Sequence, residues 1–218
     1  MIKKGILLIG IIPPPINGQT IAFQALVDEL KVDVLTLSRE RNAIFSKIFI
    51  YFGLLFRLIF KLILRKYVVY HTVSQSTEGF MRDFPIVFLS KILGSKIIIH
   101  IHGGNYDGFY KAQKPFIQRQ IRQMLMQTNS IIILSENMKK MFDFEPQLLP
   151  KLKVIKNGLP WNMESKELKV KELPVNNNLP IKIIFLSNLI ESKGYLDVLE
   201  ATSILVNEYG YNIKTDFC

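Results

Sequence analysis

Short uninterrupted apolar runs recur along this chain, separated by stretches in which apolar residues return every three or four positions. Residues 6–12 (ILLIGII) form the first run, bounded by Gly5 and Pro13. That length and character suit a strand buried on both faces. Residues 19–30 change period: Ile21, Ala22, Ala25, Leu26 and Leu30 fall on one side of a helix. Residues 32–37 predict a second strand, and 44–65 a long apolar and basic segment. Residues 67–73 (YVVYHTV) predict a strand, 79–93 a helix, and 96–102 (KIIIHIH) a strand rich in β-branched residues. Residues 115–127 predict a helix, 130–135 a strand, 136–142 a short helix, and 153–158 a last short strand and turn. Strands alternate with helices, and the strands are continuously apolar. The pattern predicts an α/β domain over residues 1–158, with a doubly wound, Rossmann-like parallel sheet.

The composition changes at residue 159. Residues 159–180 (LPWNMESKELKVKELPVNNNLP) mix prolines, charges and an asparagine run, the pattern of an exposed linker. A second unit begins behind it, with a strand at 181–187, a helix at 194–209 and a further strand starting in NIKTDFC. A strand, a helix and a fragment cannot bury a core of their own. The expectation is therefore that residues 181–218 are the start of a second Rossmann-like domain that is cut off.

The loop IIPPPINGQT (residues 11–20) follows the first strand. Proline offers no backbone N–H, so the ladder cannot continue through Pro13, Pro14 and Pro15. The chain is expected to leave the sheet in a stiff, extended loop at the strand's C-terminal edge, where open α/β sheets bind ligands. Asn17-Gly18 allows unusual backbone angles and close approach of another molecule. The N–H groups of Gly18, Gln19 and Thr20 would open the helix and attract an anion such as a diphosphate. An ordinary rigid turn is the rival reading, and the loop alone does not separate the two. Neither the G-x-G-x-x-G fingerprint nor a GK[ST] P-loop is present, which argues against dehydrogenases and P-loop NTPases.

Three further stretches carry candidate chemistry. HIHGGNYDGFY (100–110) ends the β-branched strand. His100 and His102 share a face by the strand's period, and Gly103-Gly104 lets the backbone turn sharply. His102 could hydrogen-bond a polar substrate, while His100 could simply be satisfied by neighbouring backbone. An H-x-H metal site with Asp107 is conceivable, but the spacing is a poor metal signature, and no metal is expected. KNGLP (156–160) places a turn at the domain junction. LSNLIESKGYLDVLEA (186–201) repeats the strand–loop–helix design. There Ser187 and Asn188 end the strand. Lys193 opens the helix, where a lysine pairs with phosphate as a point charge; a merely solvated lysine is the rival.

Composition narrows the function. The chain has 218 residues, 49% of them hydrophobic, and a net charge of +10. It can build a core, and its surface favours an anionic partner. The one cysteine, Cys218, rules out an intrachain disulfide framework and fits a reducing cytoplasm. MIKKGILLIGII has the look of a signal peptide, but PPP follows it instead of a small-residue cleavage site; it reads as the first strand. No nucleic-acid-binding module is recognisable, and the basic residues are spread among apolar ones, so nucleic acid is not an expected partner. In residues 44–67, Arg57, Lys61 and Arg65 recur every four residues on an apolar helix, the pattern of a membrane-facing interfacial helix. The longest uncharged run, 48–56, is too short to cross a bilayer. A core helix with basic residues at its solvent edge is the alternative.

PPPINGQT, HIHGG, IIILSENMKK, KVIKNGLP and IIFLSNLIESKGYLDVLEA, taken in order and spacing, resemble the family 4 ("group 1") glycosyltransferases. The resemblance covers essentially the whole chain. It implies two facing Rossmann-like domains, the GT-B fold, and transfer of a sugar from a nucleotide-sugar to an acceptor with retention of configuration. It implies no metal and no resident cofactor, the nucleotide-sugar being a co-substrate. By the same resemblance, Gly18 lies in the loop over the donor phosphates, with Gln19 beside it, and His102 lines the reaction centre with Gly103 and Gly104. Lys193 binds the donor diphosphate. The family's usual Gly-Arg is Ser187-Asn188 here, so Asn188 replaces a cationic diphosphate contact with a neutral one. By the resemblance, the family's Glu-x7-Glu motif is expected well downstream of residue 218. The expectation is an enzyme of surface polysaccharide synthesis with a lipid-linked or saccharide acceptor. It would sit on the anionic inner face of the plasma membrane, in the cytoplasm. The alternative expectation is an inactive fragment that at most binds membrane or a partner.

Overall fold

A computed structural model describes residues 5–37, 44–158, 180–187, 189 and 191–217. The chain divides into two compact units, Met1–Met163 and Glu164–Cys218. The expected linker at 159–180, except for Pro180, lies outside the described residues.

The first unit follows the alternation expected. Its strands are β1 (Gly5–Gly10), β2 (Asp33–Thr36), β3 (Tyr67–Thr72), β4 (Lys96–His100), β5 (Ser130–Ile133) and β6 (Leu152–Val154). They form one six-stranded sheet in the order β2-β1-β3-β4-β5-β6, and every pairing is parallel. Its helices are α1 (Gly18–Leu30), α2 (Ile44–Leu64), α3 (Thr77–Ile92), α4 (Tyr106–Lys111) and α5 (Pro115–Gln127). The sequence pattern did not show α4, whose YDGFYK is too short to display a helical period. Residues 136–142, expected as a short helix, form a 3-10 helix at Glu136–Phe142.

Strand alternation sorts the side chains onto two faces. One face carries Leu7, Ile9 and Val69, packed with Leu54, Leu58 and Leu62 of α2. It continues through Ile97, Ile99 and Ile131 with Phe80 and Val87 of α3 and Ile121 and Leu125 of α5. The opposite face receives α1. A Cβ on Gly10 would lie 2.7 Å from both the Phe23 ring and the Thr72 hydroxyl, so the close approach of α1 to β1 requires glycine there. Helices on both faces of a parallel sheet make the unit doubly wound, with its loops at the C-terminal edge.

The second unit comprises β7 (Ile181–Phe185), α6 (Tyr195–Asn207) and β8 (Ile213–Phe217). The two strands pair in parallel, and the Phe185 and Phe217 rings lie 5.5 Å apart. None of its described residues is buried. No helix among the described residues is long and apolar enough to cross a membrane.

Candidate functional site

The loop between β1 and α1 bends through Pro13, Pro14 and Pro15 instead of running extended, because α1 must turn back over the sheet within a few residues. Asn17 caps the helix. Its side chain accepts from the Thr20 amide at 3.0 Å, and its own amide donates to the Thr20 hydroxyl at 3.1 Å, which closes a capping box. The Thr20 hydroxyl donates to the Pro15 carbonyl at 2.7 Å. One expectation is thereby corrected: the Thr20 amide is already taken. Among the described residues, the amides of Gly18 and Gln19 have no partner, and nothing lies within 4 Å of a Cβ built on Gly18. Gly18 does not use its conformational freedom, since its φ is not positive; what it contributes is open space at the helix start.

Strand β4 stops at His100, earlier than expected, so His102 stands two residues beyond the sheet. The alternation nevertheless persists, and the two rings lie 3.9 Å apart. His100 is not satisfied by backbone, as one reading had it. Its Nδ1 meets the Tyr70 hydroxyl at 2.5 Å. Tyr70 in turn stacks on Phe23 of α1, at 6.4 Å between centroids. A continuous path of rings thus runs from α1 to His102 across β1, β3 and β4. Sequence reasoning missed Tyr70; the signal was its alternation with His71 at the end of YVVYHTV.

The electrostatics of the pair follow from burial. Burial, and then the adjacent His102, pushes the His100 pKa down to about 3. Burial pushes that of His102 down to about 4. Both rings are neutral at physiological pH. Nε2 of His100 and both ring nitrogens of His102 are buried without a hydrogen-bond partner. Orphaned buried nitrogens cost about 1–3 kcal/mol each, so their concentration at a sheet edge marks a place built to meet polar groups. Neutral imidazoles there donate or accept hydrogen bonds but do not supply positive charge.

Gly103 is held from the side. Gln75 donates to its carbonyl at 2.6 Å, and a Cβ on Gly103 would overlap the Gln75 side chain. Gly104 faces open space. Neither has a positive φ, so the sharp turn expected of them is made with ordinary backbone. Asp107 pairs with Lys111 at 3.2 Å, and no cluster of three metal-ligating side chains exists among the described residues.

On the other face of β3, His71 and Asp83 of α3 are both fully buried and 3.3 Å apart. Nδ1 of His71 meets the Ile9 carbonyl at 3.0 Å. Arg82 and the Ser74 amide each donate to Asp83 at 2.8 Å. Burial alone would raise the Asp83 pKa, but the neighbouring His71 ring and the Arg82 guanidinium hold it below the usual carboxylate range. This network fixes the ends of β1 and β3 beneath the site. His71, Gln75 and Asp83 also escaped the sequence reading.

Lys193 is exposed and ends a single 3-10 turn (Glu191–Lys193) in the second unit. Asn188 lies outside the described residues. The basic stripe of α2 does not act as one row. Lys61 pairs with Asp33 at 2.6 Å, and Arg65 sits over the Tyr67 ring at 5.6 Å; Arg57 is exposed.

No family model and no curated protein matches the chain. Solved structures of HepE from Anabaena are similar to it. One, in complex with UDP and glucose, is 13% identical with a TM-score of 0.58, and the match covers 98% of this chain and 60% of that one. A second, with UDP-glucose, is 11% identical with a TM-score of 0.52, over 98% and 68% of the two chains. A third, with UDP, is 13% identical with a TM-score of 0.52, over 98% and 69%. The chain therefore spans about three fifths of the length of the first of these structures. The likeness shows the fold: the Rossmann-like α/β build that the GT-B resemblance implied is the one these structures share.

Proposed function

We propose that this chain belongs to a glycosyltransferase that takes a sugar from a nucleotide-sugar. The observation that carries the reading is the pair of neutral histidines, with three orphaned ring nitrogens, at the C-terminal edge of the sheet. Solved structures of this fold hold UDP, glucose and UDP-glucose, and a neutral imidazole suits sugar hydroxyls, which both donate and accept. In this reading His102 orients the transferred sugar, while Gly103 and Gly104 leave room for it. The Gly18 and Gln19 amides face the donor phosphates. Lys193 pairs with the diphosphate, and Asn188 contributes a neutral contact. The bond from the anomeric carbon to the diphosphate breaks, the acceptor oxygen bonds to that carbon with retention of configuration, and the acceptor hydroxyl's proton passes to the departing diphosphate oxygen. The nucleoside diphosphate leaves with its growing negative charge met by lysine and helix-end amides. No metal takes part. The acceptor is lipid-linked or a saccharide, in surface polysaccharide synthesis, and the protein works peripherally on the anionic inner face of the plasma membrane.

The test is a panel of nucleotide-sugars offered with lipid-linked and soluble saccharide acceptors. Nucleoside diphosphate release is expected with at least one pair, and His102→Ala should lower it by about a hundredfold. No release and no binding of any nucleoside diphosphate across the panel would sink the reading.

A further inference from the structure

Helix α2 is apolar on two opposite sides. Leu54, Leu58 and Leu62, four residues apart, are buried against the sheet, as a surface helix requires. The side turned away from them should be polar. Instead it carries Phe49 (82% exposed), Phe52 (63%), Phe56 (71%), Phe60 (58%) and Ile63 (67%). Spaced by three or four residues, they form one row along the outer face. Isolated exposed apolar residues are ordinary, but a continuous row of this length marks a surface that meets an apolar partner.

We propose that this outer face of α2 inserts into the headgroup–acyl boundary of an anionic lipid surface, with the phenylalanines, not the basic stripe, as the inserting groups. Charge selects this occupant. Residues 44–64 contain no Asp or Glu, exposed Arg57 lies beside the row, and the chain carries +10 overall. Anionic headgroups complement that charge. A second copy paired through the same face would bring the cations of two α2 helices together with no acid on either helix to answer them. The helix lies on the surface; it does not cross it. Because Lys61 and Arg65 are engaged with Asp33 and Tyr67, apolar insertion supplies most of the attachment and Arg57 a smaller, salt-sensitive part. The inference sharpens the membrane part of the proposed function and rests on it, but it does not need the sugar chemistry.

The test is sedimentation of the full chain with vesicles of phosphatidylcholine alone or mixed equally with phosphatidylglycerol. Wild type is expected to pellet with the mixed vesicles. The triple variant Phe49→Ser, Phe56→Ser, Phe60→Ser should lose at least about tenfold in partitioning with an unchanged melting temperature, as these side chains touch no core. Arg57→Gln should lose less, and less still at high salt. No pelleting of wild type overturns the proposal, as does undiminished pelleting of a folded triple variant. So does a self-associated wild type that ignores vesicles and becomes monomeric in the triple variant, since the occupant is then a second copy. UDP binding measured by calorimetry without vesicles keeps the two readings apart. UDP bound without vesicle attachment removes the lipid surface and leaves the transferase reading; vesicle attachment with no binding of any nucleoside diphosphate does the reverse.

Discussion

The two units begin with the same design, a strand, a loop and a helix, and arrive at different states. In the first, β1 lies inside a six-stranded sheet and α1 packs on one of its faces, with Leu7, Ile9 and Phe23 fully buried. In the second, β7 pairs only with β8 among the described strands, and with α6 the unit leaves no described residue buried. The helix starts differ as well. Asn17 closes a capping box on α1, whereas the N-cap of α6 is Gly194, which has φ 78° and no side-chain cap. The contrast teaches that an apolar strand and an amphipathic helix specify an element, while burial comes from the neighbours stacked on it. The candidate chemistry described for the first unit depends on burial. The depressed histidine pKa values, the orphaned nitrogens and the ion pair beneath them all belong to the unit with a core.

Substitutions of one kind in both units test this most strongly. Phe142→Ala removes a fully buried ring stacked 5.7 Å from Tyr106 and should cost about 3–5 kcal/mol in denaturant unfolding. Leu199→Ala on α6, where the side chain is exposed, should cost less than about 1 kcal/mol. Comparable losses would break the comparison. Next in size is Asp83→Asn. It leaves His71 and Arg82 beside a neutral partner in the interior, and about 3 kcal/mol should be lost, with β3 and α3 amides exchanging faster with deuterium. A loss below 1 kcal/mol would show that the network is not what fixes the edge.

Removing the cap is milder. Asn17→Ala should destabilise the first unit by about 1 kcal/mol, and helix α1 should fray in hydrogen exchange while α6 is unaffected.

The two units should also differ in their dependence on pH. All three histidines lie in the first unit. The folded pKa values of His100 and His102, about 3 and about 4, lie below the unfolded value of about 6.5. The unfolded chain therefore takes up protons first. The stability these rings confer is complete above about pH 6.5 and declines as pH falls toward 4. Asp83, with its lowered pKa, adds a further loss at lower pH, once its carboxylate protonates below the usual range. His102→Gln should flatten the upper part of that profile, and NMR titration of the rings should find both neutral at pH 5. A ring that protonates near pH 6.5 would mean that burial does not govern the site.

The sequence alone determined the elements and their class. Short β-branched runs such as KIII and SIII read as buried strands, because they are too short for a helix and show no amphipathic face to set toward water. The three prolines ended β1, since they lack the N–H a ladder needs. The strand period put His100 and His102 on one face, and that spacing held even past the end of β4. What the sequence left open was decided by contacts between residues far apart in the chain. Tyr70 reaches His100 and His71 reaches Asp83 only because parallel pairing aligns β1, β3 and β4. The basic stripe of α2 was legible as spacing, but spacing does not say which side faces inward. Packing of Leu54, Leu58 and Leu62 chose the inward side, turned Lys61 toward Asp33, and left the phenylalanines outermost. A helix with apolar residues all round offers more than one face to a core, and only the sheet beneath it selects one.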